Sequence, residues 1–183
     1  MQNFTNEVID IDQLPKYEEI TLTSPHQKYW NVIVINICIF FLICGLCLAA
    51  LLLFKKAVKP YLYVALIAYV VILVATFILY YLSFKKRGFA LREKDIIYKS
   101  GIIAESTKII PLNRIQHVAL DEGLFSRFYQ LATLEIHTAG GSSGHMQIAG
   151  IPLENAKMIK EALMKRLDLL ENASSQSVNG EEL

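Results

Sequence analysis

Few residues in this chain have the types and spacing that chemistry requires, and most of the patterns they form lack a second half. Cys44-Gly45-Leu46-Cys47 has the C-x-x-C spacing of a redox pair. Redox work there needs a thiolate, and Cys38, Cys44 and Cys47 all lie in an uncharged apolar run that disfavours one. They read instead as small residues buried at a helix contact. His137 and His145 flank a glycine-rich loop, but two histidines without a carboxylate or thiol beside them make a poor metal site. The loop itself, with Gly140, Gly141 and Gly144, is followed by no Gly-Lys-Ser/Thr, so it reads as a flexible hairpin loop and not a phosphate cradle. No nucleophile–base pair, carboxylate pair or cofactor fingerprint is present. No enzymatic activity, cofactor or metal is therefore expected.

What remains is a set of cations and one amide. Lys85, Lys86 and Arg87 stand together at the end of an apolar run, where anionic lipid headgroups meet a chain. The same cluster suits a plain stop-transfer anchor. Arg114 and Gln116 are two apart, so in a strand they share one face. That face is either a ligand or partner surface, or a solvated face with a local ion pair. Arg127 stands among Leu124, Phe125 and Phe128. It can hold an anionic headgroup while the aromatics touch the bilayer, or tie its loop down through backbone carbonyls.

The elements that must carry these residues follow from where the charge is missing. Of 183 residues 54% are apolar and 19% charged, against about 25% charged in an ordinary soluble domain. The difference is concentrated: Val32–Phe54 and Tyr61–Phe84 contain no charge at all. Each run exceeds the roughly 20 residues that cross a bilayer as a helix. Two transmembrane helices, 32–54 and 61–84, are expected, joined into an antiparallel hairpin by Lys55–Pro60. A secreted disulfide scaffold, a disordered tail protein and a large multi-domain enzyme are excluded. Tyr29, Trp30, Tyr61, Tyr63, Tyr80, Tyr81 and Phe84 stand where an interfacial aromatic belt belongs. Neither span holds an Asp, Glu, Lys, Arg or His, which argues against a transport pathway. Their polar content is Asn36, Thr76 and the cysteines, while Ala65, Ala68 and Ala75 can admit close neighbours.

Orientation follows from flanking Lys/Arg. Eight lie on the side of the termini and three in the connector, which places both termini in the cytoplasm. The leader, residues 1–30, is acidic and does not resemble a signal peptide. Residues 85–170 hold 13 Lys/Arg against 9 Asp/Glu, too modest an excess for a nucleic-acid partner.

After the spans the pattern changes to short strands near ten residues apart: Phe89–Arg92, Asp95–Lys99, Thr107–Leu112, Arg114–Leu120, Ala132–Thr138 and His145–Ala149. Residues 122–129 form a helical turn or loop between two of them. Ala156, Ile159, Leu163, Leu167 and Leu170 then recur at three and four, the apolar face of a closing helix, with Pro152 suiting its first turn. The polar stretch 171–183 is expected to be disordered. The fold class is thus α+β: a transmembrane hairpin followed by a small antiparallel sheet or barrel capped by a C-terminal helix.

Several segments carry a resemblance to a known family. They are Ile110-Pro111-Leu112-Asn113-Arg114-Ile115-Gln116, Gly123-Leu124-Phe125-Ser126-Arg127-Phe128, Leu131-Ala132-Thr133-Leu134, His137-Thr138-Ala139-Gly140-Gly141 and Gly150-Ile151. Together with two preceding spans they resemble the YdbS-like bacterial proteins, in which a pleckstrin-homology-like (PH-like) domain flanks the membrane. The resemblance covers about residues 10–170. It implies a bent sheet closed by a helix, a bacterial cytoplasmic membrane location, and a role beside a larger membrane protein with related domains. One position departs: the family's usual glycine is Gln130 here. Either the turn is shifted or Gln130 carries strain. Two functions fit. One is an interaction module for a partner protein, with self-association left open. The other is an anionic-lipid module reading headgroups through Lys85–Arg87, Arg114 and Arg127.

Overall fold

The computed structural model describes residues 20–54, 60, 62–102, 104–138 and 145–179. Lys55, Lys56, Lys59 and the glycine loop lie outside the described residues. Two long helices come first, α1 (Lys28–Phe54) and α2 (Leu62–Lys86). Both are rich in Val and Ile, which are middling helix formers in water. In a bilayer no water is available to the backbone, so an internally hydrogen-bonded helix is what such a run can adopt. Both pass the length and hydropathy needed to cross a membrane.

The two helices meet along a narrow seam. Ile33, Ile37 and Phe41 of α1 are buried there against Tyr69, Leu73 and Phe84. Trp30 sets its ring edge-on to Phe77 and Tyr81, each at 5.3 Å between centroids. Deeper in, the Tyr69 hydroxyl donates to the Phe41 carbonyl at 2.6 Å. Gly45 makes that approach possible, since a Cβ there would stand 3.1 Å from the Tyr69 Oη. The cysteines are not buried at this contact as expected. Cys38 and Cys47 are exposed and Cys44 is half-buried, because the seam runs through 30, 33, 37 and 41 and turns them away. Ala65 lies half-buried, while Ala68 and Ala75 face outward.

Next come two three-stranded antiparallel sheets. The first joins β1 (Gly88–Leu91), β2 (Asp95–Ser100) and β3 (Ser106–Pro111). The second joins β4 (Ile115–Asp121), β5 (Leu131–Thr138) and β6 (His145–Pro152). A single-turn 3₁₀ segment, Leu112–Arg114, links the sheets, and α3 (Leu124–Phe128) lies between β4 and β5. Inward residues at period two, such as Leu134 and Ile136 of β5 and Met146 and Ile148 of β6, form the core with Ile96, Ile110 and Val118. The closing helix α4 (Leu153–Asn179) covers this core through Ala156 and Leu163, both fully buried, with Ile159 and Leu167 beside them.

Two boundaries differ from the periodicity reading. Pro152 is the last residue of β6 and not the first turn of α4. The helix also continues past Leu170 to Asn179, through part of the stretch expected to be disordered. The apolar face ends at 170, but no glycine or proline interrupts residues 153–179, and the next stop signal is Gly180.

Candidate membrane-proximal binding surface

The domain is held to the hairpin at two places. One is covalent, where α2 runs through Arg87 into β1. The other is the segment before α1. Thr23 pairs with Phe89 of β1 through two backbone bonds, its N–H donating to the Phe89 carbonyl at 2.8 Å and its carbonyl accepting at 3.0 Å. Leu22 packs on Gly88 so closely that a Cβ there would fall 2.8 Å from the Leu22 Cβ. Three residues on, the His26 N–H donates to the Gly150 carbonyl at 2.8 Å. Gly150 is the extra residue of a β-bulge, since Ala132 pairs with Ile151 and Thr133 with Ala149. It has φ +81°, and a Cβ would come within 2.6 Å of the Tyr29 ring. Residues 22–29 therefore strap the start of α1 across both sheets. Sequence reading missed this strap. Its signal was a glycine inside an otherwise β-forming run, which marks a bulge or a close backbone approach.

The basic cluster sits at this junction. Lys86 donates to Glu105 at 3.0 Å, and Lys99 reaches the other oxygen of the same carboxylate at 2.8 Å. Hydrogen bonds from Lys99 and Lys86 hold the Glu105 carboxyl below its usual range. Lys85 stands over the Tyr81 ring, 4.9 Å from its centroid, in a cation–π contact. Arg87 is different. Its guanidinium reaches Ser83 Oγ at 3.3 Å, and among the described residues no carboxylate pairs with it. Its Nε is buried with no hydrogen-bond partner. Tyr98 lies nearby; burial pushes its hydroxyl pKa up and the Arg87 charge pulls it partly back.

Arg127 lies on the last turn of α3, and α3 packs beside α1. Leu124 and Phe128, at i−3 and i+1 from Arg127, are 74% and 81% exposed. One turn of helix next to a membrane span thus carries a cation between two uncovered apolar side chains. Arg127's backbone N–H bonds the Gly123 carbonyl, and its own carbonyl accepts from Gln130. Gln130 is the left-handed residue of the following turn, with φ 55°, so the turn is kept and this side chain bears the strain. In that conformation its carbonyl accepts from the first N–H of α4, Leu153, at 2.9 Å.

Arg114 and Gln116 do not share a strand face. Arg114 closes the 3₁₀ turn before β4, and Gln116 is the unpaired residue of a β4 bulge between the Ile115–Thr138 and His117–His137 pairs. The Leu112 N–H, bonded to the Lys94 carbonyl, curls the chain here and breaks the period of two. Both side chains are exposed. They stand at the opposite end of β4 from Arg127, seven strand residues and roughly 23 Å away. Lys85–Arg87 and α3 are accordingly brought to the span end of the domain, and Arg114 with Gln116 is not.

His137 and His145 are cross-strand partners with rings 4.6 Å apart, and His117 extends the row at 5.9 Å. Among the described residues no group of three or more His, Cys, Asp or Glu is arranged to hold a metal ion.

The profile of the family described as Bacterial PH domain matches residues 31–167, both spans included. The chain is 32% identical over 85 residues to the UPF0699 transmembrane protein YdbT of Bacillus subtilis (strain 168), covering 45% of this chain and 17% of that one. It is 29% identical over 93 residues to the UPF0699 transmembrane protein YdbS of the same organism, covering 51% of this chain and 57% of that one. The matched part is thus little over half of one relative and a small part of the other. No solved structure matches the chain. Two apolar helices, the relatives' naming as transmembrane proteins and the family's coverage of hairpin and sheets agree with one another: this is a membrane-associated, YdbS-like protein with a PH-like domain, and it belongs to the bacterial PH domain family.

Proposed function

We propose that the protein is a membrane-anchored interaction module, a subunit that works beside a larger membrane protein carrying related domains. In this reading residues 31–84 anchor, residues 85–170 bind, both termini face the cytoplasm, and no catalytic step is involved. The observation that carries it is the pair of relatives. About half of this chain matches 17% of one transmembrane protein and 57% of another from a single organism, so related sequence is carried by a longer and a shorter membrane protein there. The hairpin adds support: α2 has no buried residue along its length, and Ala68 and Ala75 leave its outer face open to close helix packing. A mild-detergent pull-down of the full-length protein, read by mass spectrometry, tests it. A stoichiometric membrane partner with related domains is the expected result, and a protein that elutes alone defeats it. Orientation is tested separately, by the reaction of a Ser174→Cys thiol with a membrane-impermeant reagent in a cysteine-free background. Labelling only after the membrane is opened is expected; labelling of intact cells reverses the assignment.

A second reading, recognition of anionic lipid, is favoured by α3. Its uncovered Leu124 and Phe128 flank Arg127 beside α1, an arrangement suited to apolar insertion at a charged bilayer surface. Arg114 and Gln116, at the far end of β4, stand as candidates for the partner surface and not for the lipid one.

A further inference from the structure

The groove between the two spans ends on Arg87, which is hydrogen-bonded to Ser83 but has no carboxylate beside it among the described residues. It has a volume of about 660 Å³ and runs from Tyr29 and Arg87 at the sheet end to Cys44 and Tyr69 near mid-span. Its lining is apolar except for Asn36, Thr76, Cys44, the hydroxyls of Tyr29, Tyr69 and Tyr80, and Arg87. Asn36 and Thr76 therefore both face this groove.

Size and charge together narrow what fills it. From Tyr29 to Cys44 is roughly 22 Å of helix, more than the ~15 Å of one hydrocarbon leaflet. The groove is long, narrow and mostly apolar, a shape that one hydrocarbon chain can follow along its length. At its mouth Lys86 is taken up by Glu105 and Lys85 by Tyr81. Arg87 keeps its charge without a carboxylate and its Nε without an acceptor. A guanidinium in that state at the edge of a bilayer calls for a phosphate-type anion, which it can grip with two parallel N–H bonds. Asn36 lies about 10 Å along α1 from Tyr29, at a depth where its amide can meet an ester carbonyl.

We propose that this groove is a lipid site: it takes one acyl chain of an anionic phospholipid between α1 and α2, with the phosphate on Arg87. The inference deepens the lipid reading and moves its centre from α3 to the hairpin. It does not depend on a protein partner, so a pull-down that finds none leaves it standing. Binding at α3 is read at vesicle surfaces, whereas this site is read by lipid that stays with the protein.

The test uses the full-length protein released from nanodiscs of phosphatidylcholine with or without phosphatidylglycerol, with retained lipid counted by native mass spectrometry. Wild type is expected to keep phosphatidylglycerol in preference to phosphatidylcholine. Arg87→Gln is expected to lose retained phosphatidylglycerol about tenfold or more, the scale of one charge-assisted contact. Ile72→Trp fills the groove from an exposed position, keeps Arg87 and leaves the core untouched, and is expected to lose it as well. Lys85→Gln is expected to leave retention unchanged. Equal retention of the two lipids overturns the proposal. So does retention that ignores both Arg87→Gln and Ile72→Trp, the result a partner helix lying over the groove would give.

Discussion

Gln130 and Gly150 both have positive φ, and they have opposite prospects under substitution. A side chain costs about 1–2 kcal/mol in the left-handed region, a cost that Gln130 bears and Gly150 avoids. Gln130→Gly should stabilise the domain by about 0.5–1 kcal/mol once glycine's greater unfolded-state freedom is offset, seen as a higher melting temperature in detergent. Gly150→Ala should destabilise it by roughly 2 kcal/mol or more, because the new Cβ meets the Tyr29 ring. Glu105 gives a pH dependence. Its folded pKa is lowered by Lys99 and Lys86, so the contribution of this exposed cluster is present at neutral pH and fades as pH falls through the acid range. The protection of amides at the β2–β3 turn, corrected for the intrinsic pH dependence of exchange, should fall between pH 7 and pH 4 in the wild type and be flat in Glu105→Gln. At this scale the residue types were readable but their company was not. Nothing in the spacing of Lys85-Lys86-Arg87 says that the middle residue finds Glu105, nearly twenty positions on, while the last finds a serine hydroxyl and no carboxylate.

Among the elements, α3 and α4 separate burial from exposure cleanly. Leu163→Ala removes a fully buried side chain beneath the sheets and should cost about 2–5 kcal/mol by thermal or denaturant melting. Changing both Leu124 and Phe128 to Ser should cost little stability, since both are mostly exposed. The same change should weaken contact with anionic bilayers, measured by quenching of a label on α3 by brominated lipid. The strands, spans and closing helix were legible because each rests on a period in the sequence, two for a half-buried strand and 3.6 for a helix on a sheet. The places where reading failed are those where the period breaks. Arg114 fell into a 3₁₀ turn, Gln116 into a bulge, and the cysteines off a seam that only the partner helix defines. A strand paired with residues before α1 leaves no local period at all, which is why the strap from Leu22 to Tyr29 went unread.

At the scale of the whole molecule, hairpin and domain are one piece. Removing the strap by replacing residues 21–25 with Gly and Ser should leave both spans and both sheets formed. It should release the Phe89 and Gly150 backbone contacts, seen as faster amide exchange at Phe89 and as broadened spin-label distances between α1 and α4. Unchanged distances would mean that the α2–β1 junction alone fixes the domain. With both attachments in place the molecule is mechanically a bracket and not a tether. A domain hung from a single peptide can swivel under load and pass nothing on. One pinned at β1 by Thr23 and at β6 by His26 carries a push on its outer face into the paired spans as a turning moment. Whatever docks on the sheets or on α4 thereby gains leverage over the tilt of two helices in the bilayer, and a change in that tilt is felt in return at the docking face.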